Sequence, residues 1–232
     1  MVNRVGVDKK FQLLTQIISQ RKAIRHYQKK LIPRLLVEKV IKVACRAPSW
    51  YGLEPWFIVA VENEKIKQEL FPFINSQKQV LECSHLFLIL SYSGQQFHWG
   101  TDFCIQQFKE KFFYRLGLEE DAFPAWLKKI QSSIPLFTPS NQTEISHWSK
   151  QQCFILLQNF LLLFTSLGIA TSPMGGFQEK EVINYLEKKQ IILPERYHCA
   201  VIFAAGYPVS EKEWDKESLL SPQWKKVFKI LL

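Results

Sequence analysis

Trp56-Phe-Ile-Val-Ala-Val61 is β-branched, aromatic and almost wholly apolar. A run of this kind predicts a strand that is covered on both faces. Two further runs have the same character, His85-Leu-Phe-Leu-Ile-Leu-Ser91 and His198-Cys-Ala-Val-Ile-Phe-Ala-Ala205. Helical patterns separate the three runs, so the sequence predicts helices layered on a buried sheet.

Helical periodicity surrounds these runs. Apolar residues recur at one-sided helical spacing between Phe11 and Ile18. A second one-sided helix is expected to begin at Pro33 and to end before Pro48. The apolar run from Cys153 to Leu167 contains polar residues and is shorter than the roughly 20 residues of a membrane span. It therefore predicts a buried helix.

The composition of the chain suits one large core. With 232 residues, of which 47% are hydrophobic, we expect a single domain over 1–232. A mostly helical insertion is predicted near 97–143, where substrate specificity could reside. A tail begins at about 210, and its apolar end, Trp224 to Leu232, predicts a terminal strand or a contact with a second subunit.

Charge and motif content limit the partners. The net charge of +9, from 30 basic and 21 acidic residues, would attract polyanions, but the basic residues are dispersed and carry no nucleic-acid motif. A basic surface is favoured over a nucleic-acid or membrane partner. The five Cys and five His residues are scattered without CxxC or HExxH spacing, so no metal is expected. Charged residues within Met1–Lys10 argue against a secretory signal and favour a cytoplasmic location.

The first segment that could carry chemistry is Ser19-Gln-Arg-Lys-Ala-Ile-Arg25. It places Arg21, Lys22 and Arg25 close together between a helix and a loop. Charge-assisted hydrogen bonds from such a group suit a phosphate, which Arg can bind in a bidentate manner. The alternative is a solvated charged turn.

The second segment is Ala47-Pro-Ser-Trp-Tyr-Gly-Leu-Glu-Pro-Trp56, between a helix and the first strand. Two prolines restrict the loop, Gly52 permits close backbone approach and Ser49 offers a hydroxyl. The loop could hold a planar ligand. The alternative is a plain helix-to-strand loop with Trp50 and Trp56 buried.

The third segment is Gly168-Ile-Ala-Thr-Ser-Pro-Met-Gly-Gly-Phe177, between two helices. Backbone amides around Gly175 and Gly176 carry no bulky side chains and could point at an electron-rich ligand atom. A helix C-cap followed by a simple turn is the alternative, and the two interpretations are compatible.

In this order and spacing, the three segments resemble the FMN-dependent nitroreductase family. Weaker similarities lie at Gln77–His85 and Ala204–Pro208, and the resemblance covers 18–209. It implies an α+β protein with a three-layer α/β/α fold, a mixed central sheet and a domain-swapped homodimer.

The resemblance also implies residue roles. The basic segment would hold the FMN phosphate and ribityl chain, with Arg25 also a candidate for the pyrimidine edge. The loop segment would line the flavin of the other subunit, and the amide of Gly175 or Gly176 would donate to flavin N5 with no catalytic side chain. The residues implied to bind the cofactor are Arg21, Lys22, Ala23, Arg25, Pro48, Ser49, Trp50, Gly52, Gln79, Pro173, Met174, Gly175 and Gly176.

Several positions depart from the family pattern. Ala23 stands where Ser is usual, Gly52 where many members have Asn, and Glu54 where Gln is common. Gln79 stands where some members have Lys. The basic pair that reaches the phosphate near the C-terminus has no counterpart at 218–222, although Lys225 or Lys226 could replace it.

By resemblance, the implied activity is the transfer of two electrons from NAD(P)H through FMN to a nitroaromatic, quinone or pterin-like acceptor, by a ping-pong mechanism. Two alternatives remain open. One is an enzyme of the same fold with another reaction, such as flavin fragmentation or dehalogenation. The other is a non-catalytic or weakly flavin-binding dimeric module. The sequence leaves open the physiological acceptor and the choice between NADH and NADPH.

Overall fold

A computed structural model describes residues 4–210 and 212–215, except for the side chains of 4–7, 213 and 215. The predicted apolar tail and the candidate phosphate ligands Lys225 and Lys226 lie outside the described residues. The roles assigned to them stay predictions, as does the interpretation of 1–232 as one domain.

The described elements are as follows. The strands are β1 (Trp56–Val61), β2 (His85–Tyr92), β3 (Ala170–Met174) and β4 (Tyr197–Gly206). The helices are α1 (Arg4–Gln20), α2 (Arg34–Ala44), α3 (Glu64–Leu70), α4 (Gln79–Glu82), α5 (Asp102–Lys111), α6 (Phe123–Ser133), α7 (Gln142–Ser166), α8 (Glu179–Lys188) and α9 (Lys212–Asp215). Short 3₁₀ turns lie at Trp50–Gly52, Phe71–Ile74, Phe113–Leu116, Glu120–Ala122, Pro135–Phe137 and Pro139–Asn141.

The strands form one sheet in the order β1-β2-β4-β3, and each neighbouring pair is antiparallel. This confirms the three predicted strands, but β1 is not covered on both faces as expected, because Phe57 and Ala60 are exposed. The described strands also differ from the expected mixed sheet, since their neighbours are all antiparallel. Among the described residues, parallel pairing is confined to the isolated bridge between Ala23 and Thr171. Apolar runs predict that strands are buried, but they do not specify the direction of the neighbouring strand.

Strand β3 lies within the third segment, for which the sequence predicts no strand. It takes the end position in the described sheet, where Pro173 is tolerated because an edge strand can lack one amide donor. The register places Pro173 opposite Phe203.

Helices cover both faces of the sheet. All eight residues of β2 are buried, as its unbroken apolar sequence predicts. The α8 face of the sheet packs Leu88 and Ile202 against Val182 of α8. On the opposite α7 face, the rings of Phe87 and Phe203 stack at 4.7 Å and join the core formed with α2 and α7. The result is a helix–sheet–helix arrangement, as expected.

The two predicted N-terminal helices differ in burial. Helix α2 begins after Pro33 and buries the apolar side that the sequence predicts. Helix α1 is also confirmed, but Phe11, Leu14 and Ile18 on its apolar side are 70%, 50% and 50% exposed. The apolar side of α1 therefore lacks a full cover within this chain.

The predicted insertion is a helical segment built around aromatic side chains. Phe97, Phe108 and Phe137 are fully buried and pack together with Trp148 of α7. Two short 3₁₀ turns interrupt the helices where Pro135 and Pro139 predict a loop. Within residues 4–210 and 212–215, no helix is both long enough and apolar enough to cross a membrane.

Candidate functional site

Backbone pairing joins two of the three segments. Ala23 forms its parallel bridge with Thr171, and the amide of Ile24 donates to the carbonyl of Thr171 at 3.1 Å. The Ile24 side chain is buried in the core of the α8 face, whereas Ala23 and Arg25 are exposed. Residues 21–25 and 173–176 therefore lie along one edge of the sheet. We call these residues, together with Gln79, the sheet-edge site.

The cations of the sheet-edge site have different surroundings. Arg25 is exposed and Arg21 is half-buried. Lys22 donates from Nζ to the carbonyl of Trp214 in α9 at 2.6 Å, so its ammonium is engaged with the chain itself. Ala23 exposes only a methyl group where a hydroxyl is usual.

The backbone at the glycine pair Gly175–Gly176, just after β3, is accessible to a ligand. A Cβ atom added to Gly175 would meet no heavy atom within 4 Å. Within the described part of the chain, the amides of Gly175 and Gly176 make no hydrogen bond. Both amides are therefore available as donors to a ligand. Met174 differs, because its side chain is 2% exposed and belongs to the core, so it can offer only backbone atoms.

Two glutamines support the glycine pair. Gln77 donates from Nε2 to the carbonyl of Gly176 at 2.9 Å, and Gln79 donates from Nε2 to Oε1 of Gln77 at the same distance. Gln79 is buried, so it acts on this edge through Gln77. Gln77 is not among the site residues predicted from the sequence, although it lies within one of the weaker similarities.

An ionic network holds the start of α8 in place. The sequence did not predict this network either. Glu179 pairs with Lys150 of α7 at 2.8 Å and with His198 of β4 at 3.2 Å. Burial raises the pKa of the Glu179 carboxyl, but His198 and Lys150 outweigh burial and lower that pKa to about 2. The three side chains line a cleft of about 950 Å³. This network anchors the chain just after Gly176.

The second segment forms what we call the loop site: Pro48, Ser49, Trp50 and Gly52. The hydroxyl of Ser49 accepts from the amide of Glu54 at 2.8 Å, and the amide of Trp50 donates to Oε1 of Gln152 at 3.0 Å. Gly52 has a φ of +64°, which an L side chain rarely adopts. Trp56 is buried as the alternative expects, but Trp50 is 42% exposed, so the expected burial of Trp50 is wrong.

The insertion holds the Glu54 carboxylate beside the loop site. Lys111 Nζ lies 2.9 Å from Oε2 of Glu54, and Arg115 Nη2 lies 3.0 Å from Oε1. Burial raises the pKa of the Glu54 carboxyl, but the two cations outweigh burial and hold that pKa below its ordinary value. Nothing in the local sequence links Arg115 to Gly52, because 63 residues separate them.

One chain does not bring the two sites together. Ile24 and Met174, at the sheet-edge site, belong to the core of the α8 face. Ala47 and Trp56, which flank the loop site, belong to the core of the α7 face. Within the described residues, no hydrogen bond, ion pair or ring contact connects the two sites. The described residues also contain no group of three or more His, Cys, Asp or Glu side chains that could hold a metal.

Known proteins of one family are similar to this chain over most of its length. The profile of the nitroreductase family matches residues 18–207. YfkO of Bacillus subtilis, provisionally named an NAD(P)H nitroreductase, is 26% identical, with 86% of this chain and 91% of YfkO covered. An NADH dehydrogenase of Thermus thermophilus is 29% identical, with 83% and 85% covered.

Solved structures show the same fold. A nitroreductase-like protein of Streptococcus mutans superposes with a TM-score of 0.76 at 16% identity, with 97% of this chain and 100% of that chain covered. A protein of Exiguobacterium sibiricum, solved in complex with FMN, gives 0.74 at 16% identity, with 94% and 97% covered. The profile match includes the segments of both sites and all four strands, and on this ground the chain belongs to the nitroreductase family.

Proposed function

We propose that this protein is an FMN-dependent oxidoreductase that passes two electrons from NAD(P)H to a small-molecule acceptor, such as a nitroaromatic, a quinone or a pterin-like compound. The observation that carries the proposal is the sheet-edge site. There the bridge between Ala23 and Thr171 places a cationic segment beside two glycines with open amides. The family match, the FMN complex of one structural neighbour and the NADH dehydrogenase name of one relative support it.

The residues present fit FMN. The guanidinium groups of Arg21 and Arg25 suit a phosphate, and the open backbone at Gly175 leaves space for a planar ring. Ala23 supplies no hydroxyl, so we expect one contact fewer than the family usually makes. Bound FMN would accept hydride at N5 and store two electrons.

The chain itself supplies position and electrostatics. An amide of Gly175 or Gly176 would donate to the ring edge on which negative charge develops, and a fixed donor needs no reorganisation when that charge appears. Gln77 holds the carbonyl of Gly176, and Glu179 holds the next helix, so the peptides between them are oriented in advance. No acidic or basic side chain is assigned a catalytic role.

We also propose that the loop site is contributed by a second copy of the chain, in a cytoplasmic homodimer. Three observations support this. The loop site lies apart from the sheet-edge site of its own chain. The apolar side of α1 lacks a full cover, and Phe154 and Ile155 of α7 are 52% and 41% exposed. An apolar surface of this kind is typical of an interface between subunits.

The proposal is tested by anaerobic mixing. NADH or NADPH should bleach the absorbance of the bound flavin without any acceptor, and menadione or a nitroaromatic should restore it. Donor and acceptor would use one pocket in turn. Double-reciprocal plots of the steady-state rate against NADH or NADPH concentration, measured at several acceptor concentrations, should therefore be parallel lines. Intersecting plots would contradict the shared pocket. Purified protein that neither binds FMN nor is bleached by NADH and NADPH would favour the non-catalytic module.

A further inference from the structure

A hollow of about 420 Å³ lies between the loop site and the insertion. Ser49 and Gly52 form its loop wall, and Arg46 and Arg115 contribute guanidinium groups. Glu54 contributes the carboxylate that lines it. Arg46 and the Arg115 side chain are exposed, so the hollow is open to solvent next to the residues that we place beside the flavin.

The charges of this hollow do not cancel. Glu54 is already shared between Lys111 and Arg115, so its carboxylate is neutralised by two cations. Arg46 lines the same hollow and is exposed. Arg46 and Arg115 line the hollow with Glu54, and Lys111 pairs with the same Glu54 carboxylate, so positive charge is in excess there and suits an anion.

Gly52 makes room for Arg115. A Cβ atom on Gly52 would lie less than 3.0 Å from Nη1 of Arg115, closer than real Cβ contacts. The same guanidinium donates to the carbonyl of Gly52 at 3.4 Å. The cation of an insertion residue therefore lies where a side chain on residue 52 would otherwise be.

The insertion fixes the position of Arg115. Its neighbour Phe113 is fully buried and packs against Phe123 and Trp126 at ring distances of 5.1 and 5.2 Å. Phe112 packs against Tyr51 of the loop at 5.0 Å. The Arg115 side chain itself is 55% exposed, so its outer face remains accessible to a ligand.

We propose that Arg115 and Arg46 form an anion subsite, which binds a carboxylate or phosphate on a substrate whose reacting part lies against the flavin. The inference rests on the proposed function, because the loop site borders the flavin only in that account. The anionic group can belong to either of two substrates. It is either the 2′-phosphate that distinguishes NADPH from NADH or a carboxylate on the acceptor.

The experiment compares substrate specificity in two variants of the subsite and in one control variant. Arg115→Gln removes the charge but keeps a hydrogen-bond donor that can hold the loop. Gly52→Asn adds a side chain at the place that the Arg115 guanidinium occupies, so the guanidinium must move. Asn tolerates positive φ better than most residues. Lys109→Gln removes one positive charge from α5 on the same insertion, where Lys109 pairs with Glu120 rather than with Glu54.

The measured quantities are two ratios of kcat/KM, NADPH to NADH and 4-nitrobenzoate to 4-nitrobenzamide. Each pair differs by one anionic group. For at least one pair, Arg115→Gln and Gly52→Asn should both lower the ratio about five- to tenfold, a modest effect because the subsite is partly exposed. Lys109→Gln should leave both ratios unchanged. Added salt should reduce the difference between wild type and Arg115→Gln.

The outcomes separate the sources. A fall in the nicotinamide ratio alone identifies the donor phosphate, and a fall in the acceptor ratio alone identifies an acceptor carboxylate. If both ratios stay at their wild-type values in Arg115→Gln while this variant still binds FMN and reduces menadione, the anion subsite is contradicted. Wild-type protein without flavin or activity would instead contradict the proposed function.

Discussion

The sheet-edge site and the loop site are built in different ways. Backbone pairing of Ala23 with Thr171 and two bare glycine amides form the first, at the edge of a sheet whose strand β2 is buried throughout. Side chains form the loop site. The hydroxyl of Ser49 binds the Glu54 amide, and the insertion residues Lys111 and Arg115 bind the Glu54 carboxylate. One site depends on the core of the protein and the other on partly exposed polar contacts.

This difference has an energetic consequence. Core contacts between large aromatic side chains contribute several kcal/mol, whereas a partly exposed ion pair contributes about 1 kcal/mol or less. A change at the sheet-edge site therefore carries a risk to the fold. Changes in the insertion can alter the loop site at little cost, so we expect specificity to vary there.

The largest expected effect comes from the core of the α7 face, where Phe203 lies on the strand that pairs with β3. Phe203→Ala removes the ring stacked on Phe87 and opposite Pro173, and should lower the free energy of unfolding by about 3 to 5 kcal/mol. Urea denaturation measures this loss. Phe57→Ala on β1 is the control, because Phe57 is 40% exposed and should cost less than half as much. Equal losses in the two variants would show that β3 does not depend on this core.

The next effect concerns the proposed dimer. Leu14→Glu places a charge on the exposed apolar side of α1 and appears twice in each dimer, so it should weaken association by about 3 kcal/mol or more. Light scattering over a dilution series measures the change. Gln16→Glu alters the charge of the same helix at a polar position and should leave the dimer intact. A Leu14→Glu protein that stays dimeric would exclude α1 from the interface.

At the sheet-edge site, Arg21→Ala or Arg25→Ala should weaken FMN binding by about 1.5 to 3 kcal/mol, or roughly ten- to hundredfold. Each would remove a charge-assisted contact that we propose with the phosphate. Flavin fluorescence titration measures the affinity. Arg34→Ala, in an exposed pair with Glu38, is the control and should bind FMN as the wild type does. Wild-type affinity in both Arg21→Ala and Arg25→Ala would mean that the phosphate lies elsewhere.

The smallest effect tests the network after Gly176. The pKa of Glu179 is lower in the folded chain than in the unfolded chain, so its ionised form stabilises the fold at neutral pH. That contribution should disappear as the pH falls from about 4.5 to about 2. Glu179→Gln should cost about 1 kcal/mol at pH 7, a small value because the pair is partly exposed, and nothing near pH 2. Thermal melts across this range would contradict the account if the cost did not depend on pH.

Local pattern predicted much of the fold. The runs that became β1, β2 and β4, and the one-sided helix α2, were visible because burial on both faces or on one side leaves a direct trace in the sequence. Strand β3 left no such trace, since Pro173 and the following glycines favour a turn. Its strand conformation comes from pairing with β4, which is a long-range contact.

Local pattern predicted less of the candidate site. It found the cationic segment and the glycine pair, but not that the Met174 side chain would be core or that Gln79 would act through Gln77. It also missed the contact of Arg115 with Gly52. Such contacts join residues far apart in the sequence, and they are set by packing of the insertion rather than by local propensity.

The central claim is that the two sites meet only between subunits. Mixed dimers test it directly, with one subunit carrying Arg21→Ala and Arg25→Ala and the other carrying Ser49→Trp, which obstructs the loop site. Each parent homodimer should be nearly inactive. A doubly tagged, purified mixed dimer contains one site with both halves intact, so it should recover about half of the wild-type rate of menadione reduction. A mixed dimer as inactive as its parents would show that each chain uses its own loop, contrary to the account.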